Sequence, residues 1–295
     1  MKKEIIYNVG AHAYKLVFAD ERNTDELLPS SRPFIIEKGD DSNLLFTMTV
    51  NDEWQPEAKG REVGHFDCGG NMHDVYVLED GSYQILVSNP AGRQCCLMQT
   101  NGSFDTATVR LNGNDAMRSF GLNNALMMMY AFAGSLRQTV LMHASVVRKD
   151  GYGYLCLGVS GTGKSTHTGL WLKHIEGTDL MNDDNPVVRV EDDGTVRVFG
   201  SPWSGKTPCY RNTDAPVGAF LQLKQAPHNE IRRMSVVETF ASLLPSCSVM
   251  KWDKLNYTGV CDTVKAIMEH SKTYLLECLP DEAACRLSYN TIRAV

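Results

Sequence analysis

Gly158-Val159-Ser160-Gly161-Thr162-Gly163-Lys164-Ser165 is the stretch that decides the fold. It satisfies G-x-x-x-x-G-K-S, the phosphate-loop pattern. Glycines let the chain adopt positive φ and keep side chains out of the way. The backbone N–H groups, with the N-terminus of a following helix, then cradle phosphate. Gly158, Ser160, Gly161, Thr162, Gly163, Lys164, Ser165 and Thr166 are the expected nucleotide-binding residues. Lys164 would reach the β- and γ-phosphates, and the Ser165 hydroxyl would ligate Mg²⁺. The flanks agree: Gly153-Tyr-Leu-Cys-Leu157 reads as a buried strand, and Thr166 to His174 as a helix ended by Gly177.

The whole chain sets bounds. Its 295 residues predict one large or two modest domains, and a 43% hydrophobic content predicts a real core. A net charge of −6 leaves no electrostatic footprint for nucleic acid or an anionic membrane. The start, Met1-Lys-Lys-Glu-Ile-Ile-Tyr7, lacks the apolar core of a signal peptide, and Ala125 to Gly134 is too short to span a bilayer. Nine scattered cysteines without C-x-x-C predict reduced thiols and a cytoplasmic protein. His65, Cys68 and His73 have three metal-type donors but no fourth at a usual spacing, and read as a surface loop.

Residues 1–112 are predicted to be β-rich, with strands at 34–37, 44–50, 75–78 and 83–87; the last two flank the hairpin turn Glu79-Asp80-Gly81-Ser82. Residues 113–295 are predicted to carry the phosphate loop. A helix is expected over 114–138, with the Met127-Met128-Met129 run as core filler. A strand over 140–147 turns back into the strand before the loop. A hairpin follows over 186–199. Helices are signalled from Ser235, through the capping box Ser235-Val-Val-Glu238, and over 262–270. A strand at 274–277 and a helix from about Pro280 close the chain. The expected class is α/β with a mixed sheet.

Phosphoryl transfer needs a carboxylate for the metal and a group to activate the acceptor. Asp183 and Asp184 follow Lys164 by 19 and 20 positions, room for one helix and one short strand. Neighbours on a strand point to opposite sides, so the two predict separate roles: one holding Mg²⁺, one taking the acceptor's proton. His143 lies on an apolar strand that forms a hairpin with the one feeding the loop. It reads either as a core histidine or as a residue brought to the phosphate end.

The sequence His143-Ala-Ser-Val-Val147, the loop at 158–165, and Asn182-Asp183-Asp184 together resemble the catalytic core of HPr kinase/phosphorylase. They also resemble the wider superfamily shared with ATP-dependent phosphoenolpyruvate carboxykinase. The resemblance covers residues 140–200, and the short gap from loop lysine to paired aspartates is its specific part. It implies a P-loop kinase core with ATP and Mg²⁺ as cofactors. It implies Asp183 as general base, Asp184 as Mg²⁺ ligand with Ser165, and His143 and Lys164 as catalytic participants. It further implies a homo-oligomer. The chain departs from both families. The segment after the aspartates, Phe199-Gly-Ser-Pro-Trp-Ser-Gly-Lys-Thr-Pro208, differs from the HPr-type signature. No lysine lies between Gly60 and Arg148, where the carboxykinases place a metal-binding lysine.

Gly200-Ser-Pro-Trp-Ser-Gly205-Lys206-Thr207 also fits the phosphate-loop pattern. Pro202 removes an N–H, however, and no helix pattern follows. It reads as an acceptor-side loop in which Lys206 and Arg211 supply positive charge and Trp203 shapes a pocket, or as a structural loop. Arg232 and Arg233, just ahead of the Ser235 helix, read as an anion site or as a solvated basic pair. The expected activity is transfer of the γ-phosphate of ATP to a hydroxyl, on a protein serine or threonine or on a small metabolite. A nucleotide-binding regulatory module and a carboxykinase-like enzyme are the alternatives.

Overall fold

The computed structural model describes residues 3–37, 43–56, 58, 60–67, 72–205 and 207–293. The chain is of mixed α/β class and divides into two compact units, Met1–Gly134 and Ser135–Val295. Each contains its own nine-stranded sheet.

The first unit holds β1 (Lys3–Val9), β2 (His12–Phe18), β3 (Ile35–Ile36), β4 (Thr47–Val50), β5 (Arg61–Asp67), β6 (Met72–Val77), β7 (Tyr83–Ser88), β8 (Gln94–Thr100) and β9 (Thr106–Leu111). Their order across the sheet is β3-β1-β2-β4-β9-β8-β7-β6-β5. Neighbours are antiparallel except at β2–β4 and β4–β9. Alternate residues are buried, as a sheet with one core face requires: Tyr14, Leu16 and Phe18 on β2, Met48 and Val50 on β4, Val109 and Leu111 on β9. The hairpin turn at 79–82 forms as expected, with the Leu78 amide donating to the Ser82 carbonyl. His65 and His73 lie on β5 and β6 rather than in a loop, and His73 is fully buried. Cys68 lies outside the described residues.

Helix α1 (Asp115–Ser135) belongs to the first unit. The division therefore falls at Gly134/Ser135, later than the expected 112/113. The reason is packing. A Cβ at Gly121 would stand 2.8 Å from the Cys95 carbonyl oxygen, so glycine lets α1 approach β8 closely. The Tyr130 hydroxyl donates to the Val9 carbonyl at 2.8 Å. Arg118, buried on α1, donates to Asn23 and to the Leu111 carbonyl and pairs with Asp52.

The second unit holds β10 (Thr139–Leu141), β11 (Ala144–Lys149), β12 (Tyr152–Leu157), α2 (Lys164–His174), β13 (Asp179–Asp184), β14 (Val187–Val190) and β15 (Val196–Phe199). It continues with β16 (Asp214–Gln225), β17 (Glu230–Arg233), α3 (Val236–Ser246), α4 (Lys254–His270), β18 (Thr273–Cys278) and α5 (Glu282–Ile292). The sheet order is β10-β14-β15-β16-β12-β11-β13, with β18 also on β16 and β17 on β18. β12, β16 and β18 run parallel. The expected strand 140–147 is broken: β10 pairs with β14, β11 pairs with β12 and β13, and His143 sits in the bend between them.

Helices cover both faces. On one, Leu155 and Leu157 of β12 and Phe220 of β16 pack with Leu243 of α3 and Val260, Val264 and Ile267 of α4. On the other, Tyr154 and Cys156 pack with Ala219, Leu221, Trp171 of α2 and Cys285 of α5. The capping box at Ser235 and Glu238 forms as expected. α4 begins eight residues ahead of the expected 262, capped by Asp253. Among the described residues no helix is long and apolar enough to cross a membrane, and the cysteines are free thiols.

A buried polar knot ties α2 to α5. His167 Nε2 lies 3.0 Å from Ser288 Oγ, and Trp171 Nε1 donates to Ser288 Oγ at 3.0 Å. Burial favours the neutral imidazole and lowers the His167 pKa from 6.5 to about 4. The unfolded chain takes up a proton below its ordinary value, and the folded chain does so only near 4. Stability from this group is thus fully present above pH 6.5 and is lost as pH falls toward 4. The total is about 3 kcal/mol. Urea unfolding across that window should show the stability gap between wild type and His167→Gln narrowing by about that amount. A gap independent of pH would contradict it.

Candidate active site

Antiparallel register gathers the site at one end of the second sheet. Ala144 of β11 stands opposite both Asp184 of β13 and Leu157 of β12. Leu157 in turn stands opposite Gln222 of β16. His143, the loop at 158–165 and the aspartate pair therefore emerge beside one another, at the carboxyl ends of β12 and β16, where ligands bind in open α/β sheets.

The loop has cradle geometry. Gly158, Gly161 and Gly163 have φ of 147°, 81° and 110°. A Cβ at Gly161 or Gly163 would meet nothing, so the backbone there is open to a ligand. α2 starts at Lys164 with Gly163 as N-cap and no side-chain cap. Its first N–H groups thus keep the partial positive charge of a bare helix N-terminus. The carbonyls are engaged instead. Lys164 Nζ donates to Gly158 O at 2.8 Å and to Val159 O at 3.4 Å; Thr162 donates to Val159 O through both its amide and its hydroxyl. Ser165 and Thr166 are exposed on the first turn.

Two side-chain pairs flank the loop. Ser165 Oγ donates to Asp183 Oδ1 at 2.8 Å. His143 Nδ1 lies 2.9 Å from Asp184 Oδ1, and His143 Nε2 lies 2.8 Å from Lys164 Nζ. A lysine ammonium only donates, so Nε2 accepts and the ring proton sits on Nδ1, directed at Asp184. Desolvation lowers the Lys164 pKa below the usual lysine value, against the opposing pull of Asp184 and Asp183. Asp183 is buried at 4% exposure, whereas the Asp184 side chain is 34% exposed. Asp184 takes φ of 143°, which breaks the strand and lets adjacent carboxylates serve different partners. Ser165 is thus bonded to Asp183, while the resemblance implied Asp184 as the carboxylate that shares Mg²⁺ with it. The Ser165 hydroxyl and the Asp183 carboxylate are oxygen donors of the kind that fits Mg²⁺.

The loop at 200–205 supports the aspartates. The Gly205 amide and the Ser204 hydroxyl both donate to the Asp183 carbonyl. The Asn182 amide donates to Ser201 Oγ at 3.1 Å and, at longer range, to Trp203 O. Trp203 is buried, and neither Gly200 nor Gly205 takes a positive φ. The segment is pinned by side chains and lacks a cradle. Lys206 lies outside the described residues.

The structure pairs two of the three arginines with other carboxylates. Arg211 pairs with Asp179 at 2.8 Å and donates to the Leu180 carbonyl. Asp179 opens β13, about 16 Å of extended chain from Asp184. Arg232 is bound to Glu238 through both terminal nitrogens, at 3.0 and 2.6 Å. Arg232 and Arg233 lie on β17, three strand positions from β12 and about 14 Å across the sheet. A basic residue's position in the chain does not say which carboxylate will pair with it.

Two supporting contacts were missed. Ser145 and Thr168 share a buried hydroxyl bond at 2.9 Å beneath the loop. Gln225, at the end of β16, donates to Gly161 O at 3.3 Å and Thr162 O at 3.4 Å. A strand reading over 214–225 would have pointed to Gln225, since the carboxyl end of a parallel neighbour faces the loop.

No family model matches the chain, and no curated protein matches its sequence. Among the solved structures that match is the Hpr(Ser) kinase/phosphatase from Coxiella burnetii, similar over 52% of this chain and 88% of that one. The identity is 13% and the TM-score 0.32. A likeness of that degree establishes neither a shared fold nor a shared activity.

Because Arg211 and Arg232 are committed elsewhere, Arg211→Gln and Arg232→Gln should each leave nucleotide affinity within about twofold of wild type by calorimetry, as expected for exposed ion pairs remote from the ligand. A tenfold loss in either would return that arginine to the site.

Proposed function

We propose that the chain is an ATP- and Mg²⁺-dependent phosphotransferase that moves the γ-phosphoryl group to a hydroxyl. One observation carries this reading. A glycine-rich loop at an uncapped helix start, a lysine, a Ser–Asp pair and a His–Asp pair converge at one sheet end. This set supplies each part that phosphoryl transfer requires: phosphate positioning, metal donors and a proton acceptor.

In this reading the loop amides and the start of α2 hold the phosphates, and Lys164 leaves the Gly158 carbonyl to reach them. Ser165 and Asp183, with the phosphates, would hold Mg²⁺, which when bound neutralises charge on the phosphate oxygens. Asp184, the more exposed carboxylate, takes the proton of the acceptor hydroxyl. His143 donates Nδ1–H to Asp184 and so orients the carboxylate that performs this step. The two aspartates thereby exchange the roles that the family resemblance implied. The acceptor is a hydroxyl on a protein or on a small metabolite.

The test is ATP binding and turnover by the intact chain, with a metabolite extract in one arm and a protein extract in the other. Lys164→Ala should reduce kcat/KM by about 10² or more. Asp184→Asn should lower kcat by about 10² while leaving Mg²⁺ dependence intact, whereas Asp183→Asn should shift Mg²⁺ dependence to higher concentration. Binding without transfer in either arm would identify a nucleotide-responsive module instead. No binding would overturn the reading.

A further inference from the structure

A phosphate cradle works only if its N–H groups point inward, and each inward N–H turns a carbonyl outward. In this loop the outward carbonyls have assigned partners. Those of Gly158 and Val159 are held by Lys164 and Thr162. Those of Gly161 and Thr162 are held by Gln225 Nε2 alone among the described side chains, and that of Gly163 accepts from the His167 amide of α2. When Lys164 turns to a phosphate, the Gly158 carbonyl loses its donor and Val159 keeps only Thr162. Gln225 contacts neither of the carbonyls that Lys164 holds.

Pairing on both sides fixes the backbone of β16 from which Gln225 projects. β16 is hydrogen-bonded to β12 on one side and to β18 on the other, with Gln222 opposite Leu157 and Gln225 opposite Cys278. Leu157 directly precedes the loop. β16 therefore passes Leu157 and runs three residues further, and its last residue meets the loop's crown. The same strand is fixed to α3, where Ser242 Oγ donates to Gln222 Oε1 at 2.6 Å.

We propose that Gln225 is a positioning residue for the phosphate loop: its carboxamide N–H holds the Gly161 and Thr162 carbonyls outward and so fixes the two peptide planes at the crown of the loop, of which the second carries the Gly163 amide to the phosphate side. The role rests on the nucleotide-site reading given above. Gln225 touches no reacting atom in it. The chemical requirement is a donor at the end of a side chain of this length. A carboxamide meets it; a thioether of the same length or a carboxylate does not.

Two variants and two readouts test it. Gln225→Met is neutral, of equal length and without a donor; Gln225→Glu is near-isosteric and only accepts. Gln225 is exposed, so neither change opens a core. In the nucleotide-free protein, ¹⁵N relaxation of the Gly161 and Gly163 amides should report a more mobile loop in both variants. With nucleotide, the Kd and KM for ATP should rise about three- to tenfold in Gln225→Met and more in Gln225→Glu, with kcat nearly unchanged, as expected for losing one or two neutral hydrogen bonds. A structural defect would lower kcat as well. If wild type binds ATP and both variants match it in loop order and affinity, the positioning role is wrong. If wild type binds no nucleotide yet the variants loosen the loop, the site reading fails and the anchor stands. If neither binding nor loop order responds, both fail.

Discussion

The candidate site depends on one backbone constraint: a loop must turn its amides inward while its carbonyls are satisfied from outside. Positive φ at Gly158, Gly161 and Gly163 makes the turn possible. It does not hold the turn in place. Lys164, Thr162 and Gln225 do that by occupying the carbonyls, and the bare start of α2 adds its field in the same direction. The rest of the second unit brings these donors to the loop.

The sheet supplies the second requirement, convergence. Functional groups from four separate places in the chain meet because Asp184, Ala144, Leu157 and Gln222 share one row of the sheet. Helices on both faces lock that row through the Leu155/Phe220 and Cys156/Leu221 cores. The loop at 200–205 then fixes the aspartate backbone by bonding the Asp183 carbonyl. This segment matches the phosphate-loop pattern letter for letter and serves as a brace, because a pattern without positive-φ glycines and a following helix has no cradle.

Much of this was legible in the residues. The strand-loop-helix order, the hairpins at 79–82 and 191–195 and the capping box at Ser235 are local, set by turn chemistry and by side chains a few positions apart. β16 was not legible. Pro216 and Gly218 interrupt its pattern, yet it is central, because neighbours on both sides supply the hydrogen bonds that its own propensity does not predict. The unread strand concealed Gln225. The break at His143 was hidden for a similar reason: Val140 to Val147 is uniformly apolar, and only the separate pairing of β10 with β14 and β11 with β12 divides it.

The sequence by itself determined the glycine-rich loop at 158–165, its helix and the presence of a nearby carboxylate pair, since each depends on spacing within a short stretch. The tertiary structure decided which aspartate meets Ser165, which meets His143, and that Arg211 and Arg232 are claimed by Asp179 and Glu238. Those choices are made by strand register and by a positive φ at Asp184, and they join residues that the chain keeps far apart. Charge at a given position is a local property; the partner that neutralises it is not.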